Sequence, residues 1–275
     1  MSDSGIDAIG RTAFEVAALR AAEHRRPDRL FADPCAEMFL GAAGIDVEPE
    51  PGKDEFVAIM GVQAAVRTRF LDDTLLTQVS GERRQVVLLA SGMDSRAYRL
   101  DWPAGTEVFE VDQEPVLRFK QQVLQEHSVS PRAVVHPVAA DLRADWPARL
   151  RQAGYRPDRP AAWLAEGLLY ALDESAAEGL LGAVTELSAA GSTLAFDHVQ
   201  HSAALREALT TISPELARLW QSGPKDPGEW LRRHGWQPEI HELATIARAH
   251  NRSAHPAYDP ATGDAAHAWL VRATR

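Results

Sequence analysis

The chain has 275 residues, 45% hydrophobic and 25% charged, the mix of a globular protein long enough to bury a large core. Its 29 Lys and Arg against 39 Asp and Glu leave a formal charge of −10, which disfavours a nucleic-acid binder held by bulk charge. A single cysteine, Cys35, excludes an intramolecular disulfide, and neither a leader peptide nor an apolar run near the ~18 residues of a bilayer span is visible, so a cytoplasmic setting is expected.

The first 82 residues read as helical. Residues 11–24 carry Phe14, Ala17, Ala18 and Ala21 at helical spacing. Pro27 interrupts the pattern, Asp33-Pro34 opens a short helix through Phe39, and a long helix is predicted over 54–79, stopping before Gly81. Phe56, Met60, Gln63, Arg67 and Phe70 share one face of that helix, whereas Arg69 points nearly the opposite way. A guanidinium on an apolar face needs an anion beside it, either a carboxylate of the protein or one of a ligand.

From Gln85 the rhythm changes. Val86-Val87-Leu88-Leu89-Ala90 is a short apolar run entering the turn Ser91-Gly92-Met93-Asp94-Ser95. Val108-Phe109-Glu110-Val111 ends at Asp112, residues 133–138 run into Asp141, and Ala161-Ala162-Trp163-Leu164-Ala165 ends at Glu166. Helices are predicted over 114–126, from Trp146 and from near Glu174, and a fifth strand over 192–198. Such alternation predicts a parallel sheet covered on both faces. Further on, helices over 203–220 and 226–234, a strand over 237–243 and a last strand over 265–273 are predicted. Between those strands the polar stretch 248–264, with Pro256 and Pro260, is long enough to suggest a functional loop.

Ligands of open α/β sheets lie at the carboxyl ends of the strands. Gly92 permits close backbone approach there, and Asp112, 20 residues further on, can accept both hydroxyls of a ribose. That spacing fits a dinucleotide and S-adenosylmethionine (SAM) alike. The dinucleotide glycine pattern anchored on Gly92 needs Gly at 90 and 95, but the chain has Ala90 and Ser95, which favours a ligand without phosphates and disfavours an NAD-dependent oxidoreductase. Asp141 either accepts from an adenine amino group, with Leu142 offering its N–H, or caps the next helix. Glu166, between two apolar runs, needs a partner, such as a ligand ammonium or sulfonium.

These segments resemble the motifs of the leucine carboxyl methyltransferase-like family, whose bacterial branch includes polyketide O-methyltransferases. Residues 85–100, with Ala90-Ser91-Gly92-Met93-Asp94-Ser95-Arg96-Ala97-Tyr98-Arg99, resemble its first SAM motif, and Phe109-Glu110-Val111-Asp112-Gln113 its second. Ala140-Asp141-Leu142-Arg143 and Ala165-Glu166-Gly167-Leu168-Leu169-Tyr170 resemble the third and fourth, Val66-Arg67-Thr68-Arg69-Phe70-Leu71-Asp72 the upstream helix motif, and residues 28–34 the N-terminal one. The likeness spans about residues 10–200; the C-terminal third, where substrate choice should reside, matches less well. It implies one domain with the class I methyltransferase fold: a seven-stranded, mostly parallel sheet with an antiparallel last strand. A helical cap (1–82), a SAM-binding core (83–200) and C-terminal substrate-side elements (201–275) would divide it.

The cofactor implied is SAM, giving S-adenosylhomocysteine, with no metal. Arg67 would bind the methionine carboxylate, Ala90, Ser91 and Gly92 would pack on the methionine portion, and Asp112, with Gln113, would hold the ribose. Asp141 and Leu142 would hold adenine, and Glu166 would line the methionine end. Arg20, in Ala18-Leu19-Arg20-Ala21-Ala22-Glu23, would stand for an N-terminal basic contact. The chain departs from the family in having Ala90-Ser91-Gly92 where Gly-Ala-Gly is usual, though Ala and Ser are small enough to keep the turn.

The function expected is O-methylation of a small-molecule or natural-product carboxylate, which is ionised at neutral pH and needs no base. Methylation of a phenol, which gains from a base, is the alternative, with His198, His201 and Tyr170 as candidates near the fifth strand and pocket. A non-catalytic SAM-binding protein is a third reading. A small-molecule acceptor is expected, with neither nucleic acid nor membrane as partner, and both monomer and homodimer stay open.

Overall fold

The computed structural model describes residues 8–45, 53–81, 83–200, 207, 210, 224–262 and 266–275. Three helices come first: α1 (Ala8–Arg25), α2 (Pro34–Ala42) and α3 (Lys53–Gln78). Asp33 caps α2 by accepting from the Ala36 N–H, and Pro34 pre-sets its first turn. The alternating part follows as β1 (Gln85–Leu89), α4 (Arg96–Arg99), β2 (Glu107–Asp112), α5 (Glu114–Glu126), β3 (Val134–Ala139), α6 (Trp146–Gln152), β4 (Ala161–Ala165), α7 (Glu174–Glu186) and β5 (Thr193–Val199). After it come α8 (Pro227–Arg233), β6 (Gln237–Glu242), α9 (Leu243–Ala249) and β7 (Ala268–Thr274).

The strands form one sheet in the order β3-β2-β1-β4-β5-β7-β6. The first five pair in parallel, and β7 enters between β5 and β6, antiparallel to both. Alternation along the strands sorts two cores. Val87, Phe109, Trp163 and Phe196 face α6, α7 and α8 through Leu150, Leu181 and Trp230. Val86, Leu88, Leu164 and Ala195 face α3 through Leu71 and Leu75. The outer side of α3 is covered in turn by α1 and α9, with Leu19, Met60, Leu243 and Ala247 in one apolar cluster. The helical cap is thus fixed directly over the carboxyl ends of β1 and β4.

Two expectations change. The sixth strand stops at Glu242, and Leu243 opens α9, a helix of seven residues, too short for periodicity to reveal. The described part of the stretch over 248–264, up to Thr262, is not an open loop: Pro256–Tyr258 and Pro260–Thr262 form tight helical turns, and Tyr258 is fully buried with its hydroxyl 2.9 Å from Met60 Sδ on α3. The helix predicted over 203–220 lies outside the described residues.

Candidate cofactor and methyl-transfer site

The site is built on the turn that leaves β1. Ala90 and Gly92 both have left-handed backbones, with φ of 50° and 47°. This reverses the chain and brings the Gly92 N–H to Asp112 Oδ2 at 2.6 Å, while the Gln113 N–H donates to Asp112 Oδ1 at 2.7 Å. The carboxylate ending β2 therefore fixes the turn after β1. A Cβ on Gly92 would lie 3.1 Å from the Ala13 methyl, so a side chain at residue 92 would press on α1 as well as strain the left-handed turn.

A cavity of about 150 Å³ lies between this turn and the cap. Of the residues singled out in the sequence, Arg20, Arg67, Ala90, Ser91, Gly92, Asp112, Gln113, Glu166 and Tyr170 line it. Val16, Leu19, Met60 and Leu168 add apolar walls, and Gln63 adds a buried amide.

Arg67 is 2% exposed and ion-paired within the protein, its Nε 3.0 Å from Glu166 Oε1 and its Nη1 3.1 Å from Asp197 Oδ2. Asp197 also accepts from the Gly167 N–H at 2.6 Å. Arg69, as its helical phase predicts, turns outward and pairs with Asp73. The pairing continues without a break of sign. Glu166 Oε2 meets Arg96 Nη1 at 2.7 Å, Arg96 meets Asp94 at 2.5 Å and Asp72 at 2.7 Å, and Asp72 meets Arg99 at 2.6 Å. Asp33 joins Arg99, at 4.0 Å, to Arg20, at 3.0 Å, and Arg20 Nη2 donates to the Met93 carbonyl at 2.6 Å. Burial would raise the Glu166 carboxyl, but Arg96 and Arg67 outweigh it and hold it below the usual range. The same contest, won chiefly by Arg96, brings Asp94 down to about 2. Burial pushes the Tyr170 phenol up to about 12.

Other expected residues fall elsewhere. Asp141 and Leu142 do not line the cavity; the Asp141 carboxylate is clasped by its neighbour Arg143, Nη2 at 2.7 Å. His198 also lies off it. Neighbouring residues of a strand face opposite sides, and with Asp197 turned to Arg67, His198 turns to the far face of β5, stacked on Trp269 at 5.9 Å. Burial pushes its imidazole down to about 4, against an opposing hydrogen bond with the Pro224 backbone. His201 lies outside the described residues.

Sequence reasoning missed Asp197, Arg96 and Asp72. Asp197 had a readable signal: a carboxylate inside the apolar run Leu194-Ala195-Phe196-Asp197-His198-Val199 whose strand parity matches Ala195, on the α3 side. Arg96 had none, because its partners come from α3, the β1 turn and the end of β4.

Comparison with known proteins gives a consistent family likeness. Residues 13–185 match the family described as leucine carboxyl methyltransferase. A protein of Parafrankia sp. (strain EAN1pec), named as an S-adenosyl-L-methionine-dependent methyltransferase, is 44% identical over 95% of this chain and 87% of its own length. One of Frankia alni with the same type of name is 43% identical over 97% and 95%. Among solved structures, a DUF574 family protein of Streptomyces avermitilis superposes with a TM-score of 0.57 at 16% identity, covering 94% of this chain and 96% of that one. A protein of Thermobifida fusca, named as a methyltransferase, gives 0.54 at 20% identity over 86% and 93%. These structures share the seven-stranded class I methyltransferase fold with this chain.

Proposed function

Since the chain belongs to the leucine carboxyl methyltransferase family and is a SAM-dependent methyltransferase, we propose that it methylates a carboxylate oxygen of a small-molecule, natural-product-like acceptor. The observation that carries this reading is the chemistry of the cavity wall. Among the described residues no histidine or lysine lines it, and Tyr170 is held protonated. Its carboxylates are too weak as bases to help a phenol with a pKa near 10. A carboxylate acceptor needs no base. The family, a carboxyl methyltransferase one, points the same way.

The residues fit the cofactor. The left-handed turn at Ala90 and Gly92 exposes backbone to a ligand, and the buried Gln63 Oε1 and Ser91 Oγ find no hydrogen-bond partner among the described residues. In this reading Arg67, Arg20, Ser91 and Glu166 face the amino-acid end, Ala90 and Gly92 the chain bearing the sulfur, and Asp112 with Gln113 the ribose. Asp141 and Leu142 reach adenine only if the segment after β3 reorganises and Arg143 yields. Bound SAM supplies a methyl group on a cationic sulfonium. The protein's part is to align the acceptor with it and exclude water, which Leu19, Met60 and Leu168 serve by their apolar surface. No helix among the described residues is long and apolar enough to cross a membrane, and the lone buried Cys35 supports a reducing, cytoplasmic setting.

The test is transfer of labelled methyl from SAM to a panel of small carboxylic acids and matched phenols between pH 6 and 9. Label on the acids, at a rate flat over that range, is expected. Label on phenols alone, rising with pH, would replace the carboxylate reading. SAM binding with no labelled product would favour a binding protein.

A further inference from the structure

We propose that Gln63 is the ligand for the α-ammonium group of the cofactor's methionine moiety, an assignment that rests on the cofactor reading above. Gln63 is 2% exposed, lines the cavity, and leaves its Oε1 without a hydrogen-bond partner among the described residues. A buried amide oxygen left unmatched is costly. Arg67 and Glu166 beside it are ion-paired within the protein, whereas this oxygen, like Ser91 Oγ on the same wall, is a polar atom awaiting a partner, and being an amide oxygen it awaits a donor.

The donor's identity follows from three observations. Gln63 precedes Arg67 by four residues on α3, and such residues are neighbours on one face, about 5–6 Å apart at Cβ. If Arg67 faces the methionine carboxylate, then Gln63 faces the other charged group on the same carbon, which is the ammonium. An ammonium carries donors only, and an amide oxygen only accepts. The wall also suits a cation: the carboxylates of Asp94 and Glu166, both held below the usual range by their arginines, line the same cavity.

The test is calorimetric titration of wild type, Gln63→Met and Gln63→Glu with S-adenosylhomocysteine and with 5′-methylthioadenosine. The second probe keeps the adenosine and sulfur but lacks the ammonium and carboxylate. Gln63→Met should weaken S-adenosylhomocysteine by about tenfold or more, the scale of a hydrogen bond to a charged group, while 5′-methylthioadenosine changes less than about twofold. Gln63→Glu keeps acceptor oxygens and should retain S-adenosylhomocysteine within about threefold of wild type. Unchanged S-adenosylhomocysteine affinity in Gln63→Met would overturn the assignment. Equal loss in both variants would also overturn it, since it would mark a donor to the carboxylate. Parallel loss of both probes would do the same, marking a packing role. Failure of wild type to bind either probe would instead overturn the cofactor reading on which the assignment depends.

Discussion

Ala90 carries a side chain at φ 50°, a conformation that costs an L-residue about 1–2 kcal/mol and that glycine adopts freely. Ala90→Gly should therefore stabilise the protein by about 1 kcal/mol, raising Tm by about 2–4 °C in a thermal melt; a lower Tm would mean that the methyl group's packing outweighs the strain. Arg67 is bound on two sides by buried carboxylates, so Arg67→Ala leaves Asp197 without a cation and Glu166 with Arg96 alone, and should cost about 3–5 kcal/mol in a urea titration. Loss of SAM affinity in that variant would then mix folding with binding. His198 is held neutral, with its pKa down at about 4 in the fold against 6.5 in the open chain. Between those values the unfolded chain binds the extra proton, so this contribution to stability is complete above pH 6.5 and is lost as pH falls towards 4. Comparing melts of wild type and His198→Gln across that window should show the wild type losing more Tm; parallel curves would refute the burial argument.

At the scale of elements, Arg252 fastens the segment after α9 to the cap. Its Nη1 reaches Asp28 Oδ2 at 2.6 Å and its Nη2 reaches Glu23 Oε1 at 3.2 Å. Arg252→Ala should speed hydrogen exchange of the α1 amides, measured by mass spectrometry, while the exchange of β1 and β4 stays as in wild type. Equal protection of α1 in both proteins would show that the apolar contacts of Leu19 and Met60 hold the cap unaided. The elements themselves were largely legible. The runs at Val86, Val108 and Ala161 are short and continuous because both faces of the sheet are covered, and α5 and β4 have the predicted bounds. Most of what was not legible depended on tertiary partners. Arg67 was correctly assigned to the buried face of its helix, but its two carboxylates are 99 and 130 residues away, and no local pattern joins them. His198 has the residue type of a base, but strand parity turns it away from the α3 side, which Asp197 faces. Asp141 sits two residues before Arg143, and a near neighbour claimed it.

For the whole molecule, the alternating chain of ion pairs joins α1, α3, the β1 turn, β4 and β5 around one cavity. Asp94 and Glu166 in it are held ionised by their arginines, whereas burial pushes Asp197 the other way. Asp94 has its pKa lowered to about 2, so its contribution is present above the reference value of 3.8 and is lost as pH falls from there towards 2. Tm should therefore drop steeply below pH 4, and Asp94→Asn should flatten that drop; an unaltered acid limb would place the sensitivity elsewhere. The cavity, at about 150 Å³, is also smaller than the roughly 300 Å³ at which small-molecule sites begin. Cofactor binding is expected to displace α1 outward, visible as altered exchange in α1 on adding S-adenosylhomocysteine. The strand order has a consequence for biogenesis. Strand β6 is synthesised before β7, yet β7 is the strand that joins it to β5. Until β7 arrives, a nascent chain holds β5 with an open edge and β6 with no strand to pair with. This interval, rather than any property of the finished sheet, is when an unpaired strand edge is most open to edge-to-edge association.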